Sequence, residues 1–165
     1  MENKKTLNEL VEELERQKTN RYDIVVPSEN LIVLKDGEKV WIDVPQPDGK
    51  TKRHGITKYA HEQIADKTGI PLKYYNKMKE TGHLDLLANN INEWMPTKDR
   101  RLVRVLDDNV RALLSDRYRI IDNDDVLYAT LDEFKNIQEQ RKLKIEINVA
   151  ARRSFSETTP VSLYF

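Results

Sequence analysis

Arg100, Arg101, Arg104, Arg111, Arg117 and Arg119 crowd one short stretch of the chain, and Tyr118 stands between the last two. A guanidinium presents a planar fork of donors that fits a phosphate, and an exposed tyrosine ring offers a face on which a nucleobase stacks. Together these residue types suit a protein that grips the backbone of a single-stranded nucleic acid. Arg101, Arg104, Arg111, Arg117 and Arg119 are the residues nominated for phosphates, with Tyr118 for stacking. The competing account pairs Arg117 and Arg119 with Asp116 and Asp122 as a structural ion-pair network at the end of a hairpin.

A second candidate runs from Gln63 to Met78. Ala65 has the size for a helix crossing, Gly69 for the turn, Ile70 for the buried position after it, and Tyr75 and Met78 for the inner face of the second helix, which is the outline of a helix-turn-helix. Lys73, Asn76, Lys77 and Lys79 would then face a duplex groove, with Lys73 and Lys77 as the nominated contacts. Two residues argue for a plain helical hairpin instead: Pro71 stands where the turn usually carries a Ser or Thr cap, and Tyr75 is bulky for its slot. Lysines that neutralise phosphates do not by themselves read bases.

Signs of catalysis are thin. His54, His61 and His83 lack metal-ligand spacing with carboxylates and read as surface or capping residues. The glycines are scattered, so no phosphate-cradling loop is expected. Ser115-Asp116 lacks the glycine pattern of a nucleophile elbow, and Asp122, Asp124 and Asp125 suit the positive end of a helix. A divalent-metal nuclease built on Asp107, Asp108 or Asp116 stays open as a minor alternative. No catalytic residue, metal ligand or cofactor is expected. Lys50, Lys52, Arg53, Lys58, Arg152 and Arg153 read as solvated surface charge.

The elements that must position these residues follow from periodicity. Thr6-Leu7-Asn8-Glu9 has capping-box spacing, and Leu7, Leu10, Val11 and Leu14 mark one face of a first helix over residues 1–20. That helix either packs on the domain or extends toward another subunit. Tyr22 to Val26, Leu31 to Leu34 and Val40 to Val44 are β-type runs, the last two joined through Asp36-Gly37. Pro45 to Gly55 reads as a loop. From Thr57 to Pro96 the punctuation of Thr57, Gly69, Pro71 and Gly82 spells three helices, the third burying Leu84, Leu87, Ala88, Ile91 and Met95. A second hairpin turns at Asp107-Asp108-Asn109. A long helix with Leu127, Leu131, Phe134 and Ile137 inward follows it. Strands are expected at Leu143 to Ala151 and Val161 to Phe165. The expected fold is therefore α+β: two β-hairpins in a mostly antiparallel sheet, an inserted three-helix segment and a further long helix. Residues 21–165 form a single domain that is expected to continue past Phe165.

Composition narrows the class. Lys plus Arg and Asp plus Glu both number 28, so the formal charge is zero and any positive face must come from clustering. The chain has no cysteine, which removes disulfides and thiolate chemistry. No apolar run reaches the roughly 18 residues of a membrane span. A cytoplasmic protein without membrane association is expected.

Three segments carry a resemblance: His61 to Tyr75 with its Gly-Ile-Pro-x-x-Tyr-Tyr turn, Leu86 to Trp94, and Arg101-Leu-Val-Arg104 with Val110 to Arg119 and Asp122-Asn123. Together they resemble the phage/plasmid-like protein family of domain of unknown function nine-three-two, over about Tyr22 to Phe165. The Ser-Asp-Arg-Tyr-Arg signature and the Gly-Ile-Pro-x-x-Tyr-Tyr turn are the specific parts. Ile120-Ile121 departs from it, since the family often carries a Pro-Leu-like pair there. The resemblance implies a mobile-element setting and a longer parent chain, and it carries no activity with it. The order of hairpin, helices, hairpin and helix also loosely resembles single-strand annealing recombinases. The expected function is a nucleic-acid-binding accessory protein of a phage or plasmid that binds or anneals single-stranded DNA in recombination or replication. A protein-interaction or anti-defence module without nucleic-acid affinity, presenting the tyrosines of the Thr57 to Pro96 segment, and a helix-turn-helix duplex binder are the alternatives. Self-association into a homo-oligomer is left open.

Overall fold

The computed structural model of the chain describes residues 7–95 and 98–141. The expected strands at Leu143 to Ala151 and Val161 to Phe165, the cap at Thr6 and the stop at Pro96 lie outside these residues. Helix α1 spans Leu7–Asn20. Strands β1 (Arg21–Pro27), β2 (Ile32–Asp36), β3 (Lys39–Pro45) and β4 (Thr51–Ile56) follow, with a 3-10 turn at Ser28–Asn30 between the first two. Helices α2 (Lys58–Thr68), α3 (Leu72–Glu80) and α4 (Leu84–Trp94) then lead to β5 (Arg100–Leu106), β6 (Asn109–Ser115) and α5 (Asn123–Arg141).

The strands form one six-stranded sheet in the order β1-β5-β6-β4-β3-β2. Every pairing is antiparallel except a short parallel seam between β4 and β6, where Gly55 lies beside Asn109 and Ile56 beside Val110. The fold class is α+β, as the order of periodic segments implies. One stretch differs from expectation: the end of the expected Pro45 to Gly55 loop lies in strand Thr51–Ile56, which joins the two halves of the sheet. Its residues are mostly polar, so no apolar alternation announces it.

Alternation explains the core. Val40, Ile42 and Val44 on β3, and Val103 and Val105 on β5, are buried on one sheet face, and the helices cover that face with Ala60, Ile64, Tyr75, Met78, Leu84, Leu87, Ala88 and Ile91. Helix α4 packs on β2 and β3, and α2 on β6. Thr57 caps α2 through its hydroxyl, which accepts from the Ala60 amide at 3.3 Å, and Gly69 closes that helix in the left-handed region at φ 68°.

Side-chain amides cover the β2 edge and the part of β6 left open beyond its short seam with β4. The Asn92 side chain accepts from the Val33 amide at 2.8 Å and donates to the Val33 carbonyl at 2.7 Å, so it substitutes for a neighbouring strand along β2. Beyond the seam, the Leu113 amide on β6 donates to Gln63 Oε1 at 2.7 Å.

Contacts divide the chain into two compact units, Arg16–Ile120 and the combination of the first fifteen residues with those from Ile121 onward. The sheet and its three helices lie in the first. In the second, Tyr128 donates to Glu15. The expected inward stripe of α5 is only partly realised: Leu127 and Leu131 are half-buried, but Phe134 and Ile137 are exposed. No helix among the described residues is long and apolar enough to cross a membrane.

Candidate nucleic-acid interface

Hairpin β5–β6 turns at Asp107 and Asp108, whose φ angles are 48° and 58°. Positive φ at both central residues is the type I′ geometry that matches strand twist, and Asp tolerates it better than most side chains. Ion pairs clamp both residues. Arg16 donates to the two Asp107 oxygens at 2.7 Å and 2.8 Å, Asn20 adds a third bond at 3.0 Å, and Lys52 donates to Asp108 at 2.7 Å. The Arg16 contact, then that of Asn20, holds the Asp107 carboxyl down to about 2. Carboxylates so engaged serve the turn, which removes the reason to read Asp107 and Asp108 as nuclease metal ligands. Among the described residues Asp122, Asp124 and Asp125 do gather their carboxylate oxygens within 4.8 Å, at the start of α5, where an acidic first turn complements the helix dipole.

Of the nominated arginines, the structure separates two groups. Arg104 is 7% exposed, and its Nε donates to both oxygens of Asp23 directly across the β1–β5 ladder. Arg101 is 8% exposed and donates through Nη2 to Asp99. Arg111 is the extra residue of a β-bulge, because Arg104 pairs with Ala112 and Val105 with Val110, and it is half-buried with partners of its own. Burial and the Asp23 carboxylate engage the Nε of Arg104, whereas Arg101 gives Asp99 only its Nη2 and keeps a buried Nε without a partner among the described residues.

The second group is exposed. Register places Arg101 opposite Ser115, so the start of β5 and the end of β6 share one end of the hairpin. Lys98 and Arg100 precede Arg101 there, and Arg117, Tyr118 and Arg119 follow Ser115. All five are exposed. Among the described residues of this unit, neither Arg100, Arg117 nor Arg119 enters an ion pair; Asp116 instead accepts from the Ser115 hydroxyl at 3.4 Å. Of the network expected among Arg117, Arg119, Asp116 and Asp122, no ion pair from Arg117 or Arg119 to Asp116 is seen among the described residues. Tyr118 is 50% exposed between its two arginines, with a ring that solvent reaches.

The α2–α3 pair realises the helix-turn-helix outline locally. Ala65, Ile70, Tyr75 and Met78 are buried, and Lys73, Tyr74, Asn76 and Lys77 are exposed on the outer side of α3. Lys79 is half-buried, and desolvation lowers its pKa. Tyr75, which looked too bulky from sequence, has a specific role: its hydroxyl lies 2.6 Å from His61 Nδ1 across the two helices.

His61 and His54 correct the expectation of surface histidines; His83 alone is exposed, at the start of α4. His54 is fully buried, with Nε2 2.7 Å from the Tyr22 hydroxyl and Nδ1 3.1 Å from the Asp108 carbonyl, and burial lowers its pKa. It fastens β4 to β1 and to the β5–β6 turn. Sequence reasoning missed Tyr22, His54, Arg16, Gln63 and Asn92 as positioning residues, since each acts on a strand far along the chain. No family model matches this chain, and no curated protein or solved structure matches it either.

Proposed function

We propose that the protein binds nucleic acid, gripping a single-stranded backbone at the open end of the β5–β6 hairpin, as an accessory protein of a mobile genetic element. The observation that carries this reading is the exposed set of Arg100, Arg117 and Arg119 around the accessible ring of Tyr118, free of carboxylate partners within the unit. Unpaired guanidinium forks are disposed to take phosphate oxygens. A tyrosine face meets a base only where that base is not already stacked in a duplex, which favours single strands. The mobile-element setting rests on the resemblance of Ser115 to Arg119 and its flanking segments to the phage/plasmid-like family. Binding of a labelled single strand that weakens on Arg117→Ala and Arg119→Ala, with folding intact, supports the proposal; binding indifferent to both overturns it.

A second reading is favoured by one observation. Helix α3 offers Lys73, Asn76 and Lys77 on its exposed side after a left-handed Gly69, as a duplex-reading helix does. A preference for duplex that Lys73→Ala and Lys77→Ala abolish would select it. No affinity for either nucleic acid would leave a protein-interaction module, with Tyr59, Tyr74 and Trp94 as its exposed aromatic surface.

A further inference from the structure

We propose that Asp99, Arg101 and Ser28 form a phosphate seat in which the Asp99 carboxylate stands in for a nucleic-acid phosphate and is displaced when one arrives. The inference rests on the nucleic-acid reading and gives it a specific anchoring point.

Strand alternation brings the three side chains together. Arg101 falls on the same sheet face as Val103 and Val105, and Ser28 continues the alternation of Val26 on the neighbouring β1. The backbone then ties Ser28 to Asp99: the Ser28 amide donates to the Asp99 carbonyl at 2.9 Å. Arg101 Nη2 donates to Asp99 Oδ2 at 2.7 Å.

That leaves the seat half-filled. Arg101 Nε and the Ser28 hydroxyl are buried and meet no hydrogen-bond partner among the described residues. Buried donors are normally satisfied, and two orphans on residues that are each bonded to Asp99 are an exception that calls for a cause. The Nε and Nη2 donors of a guanidinium form an edge that takes two oxygens at once, and Asp99 takes only one of them. A phosphate has oxygens enough for both donors and for the serine hydroxyl. The Asp99 side chain is 55% exposed, whereas that of Arg101 is 10% exposed, so the carboxylate sits between the guanidinium and water and can swing out. Lys98 and Arg100, its neighbours in the chain, are exposed, and their charge favours an incoming anion.

The test uses the whole chain with three probes: inorganic phosphate, a single strand phosphorylated at its end, and the same strand without that phosphate. Asp99→Asn removes the competing charge and keeps the shape, and is expected to raise phosphate affinity about tenfold. Ser28→Ala is expected to lower it several-fold while leaving the melting temperature unchanged or higher, because it deletes an unsatisfied buried hydroxyl. A gain confined to the end-phosphorylated strand identifies a strand terminus as the ligand, and an equal gain on both strands identifies an internal phosphate. Inorganic phosphate binding that neither substitution alters, or that is absent from the wild type and Asp99→Asn alike, overturns the proposal. If oligonucleotide binding responds to Arg117 and Arg119 but not to Asp99→Asn, the seat falls and the grip stands. If inorganic phosphate responds to both seat variants while no oligonucleotide binds, the grip falls and the seat stands.

Discussion

Arg104 Nε lies 3.1 Å and 3.0 Å from the two carboxylate oxygens of Asp23, its direct cross-strand neighbour on β1. The side chains of the pair are 9% and 19% exposed, so removing Arg104 strands the half-buried Asp23 carboxylate. Arg104→Ala is expected to cost about 3–5 kcal/mol of stability, with oligonucleotide affinity per folded molecule unchanged. Denaturant unfolding alongside binding checks this; a stable variant with lost binding would return Arg104 to the interface.

The His61–Tyr75 pair makes stability depend on pH. Burial, and then the charge of Lys79, pushes His61 down to about 4 from an ordinary value near 6.5. Between these values the unfolded chain binds a proton that the folded chain refuses, so stability falls as pH drops from about 6.5 to about 4, by roughly 2–3 kcal/mol in all. His61→Gln should flatten the pH profile of urea unfolding over that window; an unchanged slope would show that another group is responsible.

Gly55 has no room for a side chain at the parallel seam. A Cβ there would lie 2.2 Å from Asn109 Oδ1, and that side chain is tied down by its own bond to the Asp107 carbonyl at 2.7 Å. Gly55→Ala is expected to cost about 1–3 kcal/mol by overpacking, and Asn109→Ala in the same chain to recover much of it. Purely additive losses in a double-mutant cycle would show that the clash is not the cause.

Asn92 guards the β2 edge. Asn92→Ala should cost about 1–3 kcal/mol for the two lost bonds to Val33 and expose a strand edge that pairs between molecules. Light scattering against concentration reads the second effect; a monodisperse, equally stable variant would contradict it.

Much of this fold is legible in the sequence because its signals are local. Asp36-Gly37 marks a hairpin, Thr57 and Gly69 punctuate α2, and the apolar stripe from Leu84 to Met95 becomes the buried face of α4. Strand β4 is illegible because Lys52 and Arg53 carry polar side chains, its buried member is His54 and Ile56 is only half-buried, a pattern without an apolar run. The candidate site is only half legible for a related reason. Arginine types and spacing nominate a hairpin, but whether a guanidinium is free depends on a partner such as Asp23, 81 residues away from Arg104. Nothing local distinguishes Arg104 from Arg117, although the first is buried and the second exposed.

The central claim is that exposed arginines at the end of the β5–β6 hairpin grip a single-stranded backbone. Fluorescence anisotropy of a labelled single strand and its duplex, across a salt series, tests it most directly. The expected result is tighter binding to the single strand and a log-log salt slope that loses about 0.7 for each of Arg117→Ala and Arg119→Ala. Salt-insensitive binding, or a slope that both substitutions leave untouched, would contradict it.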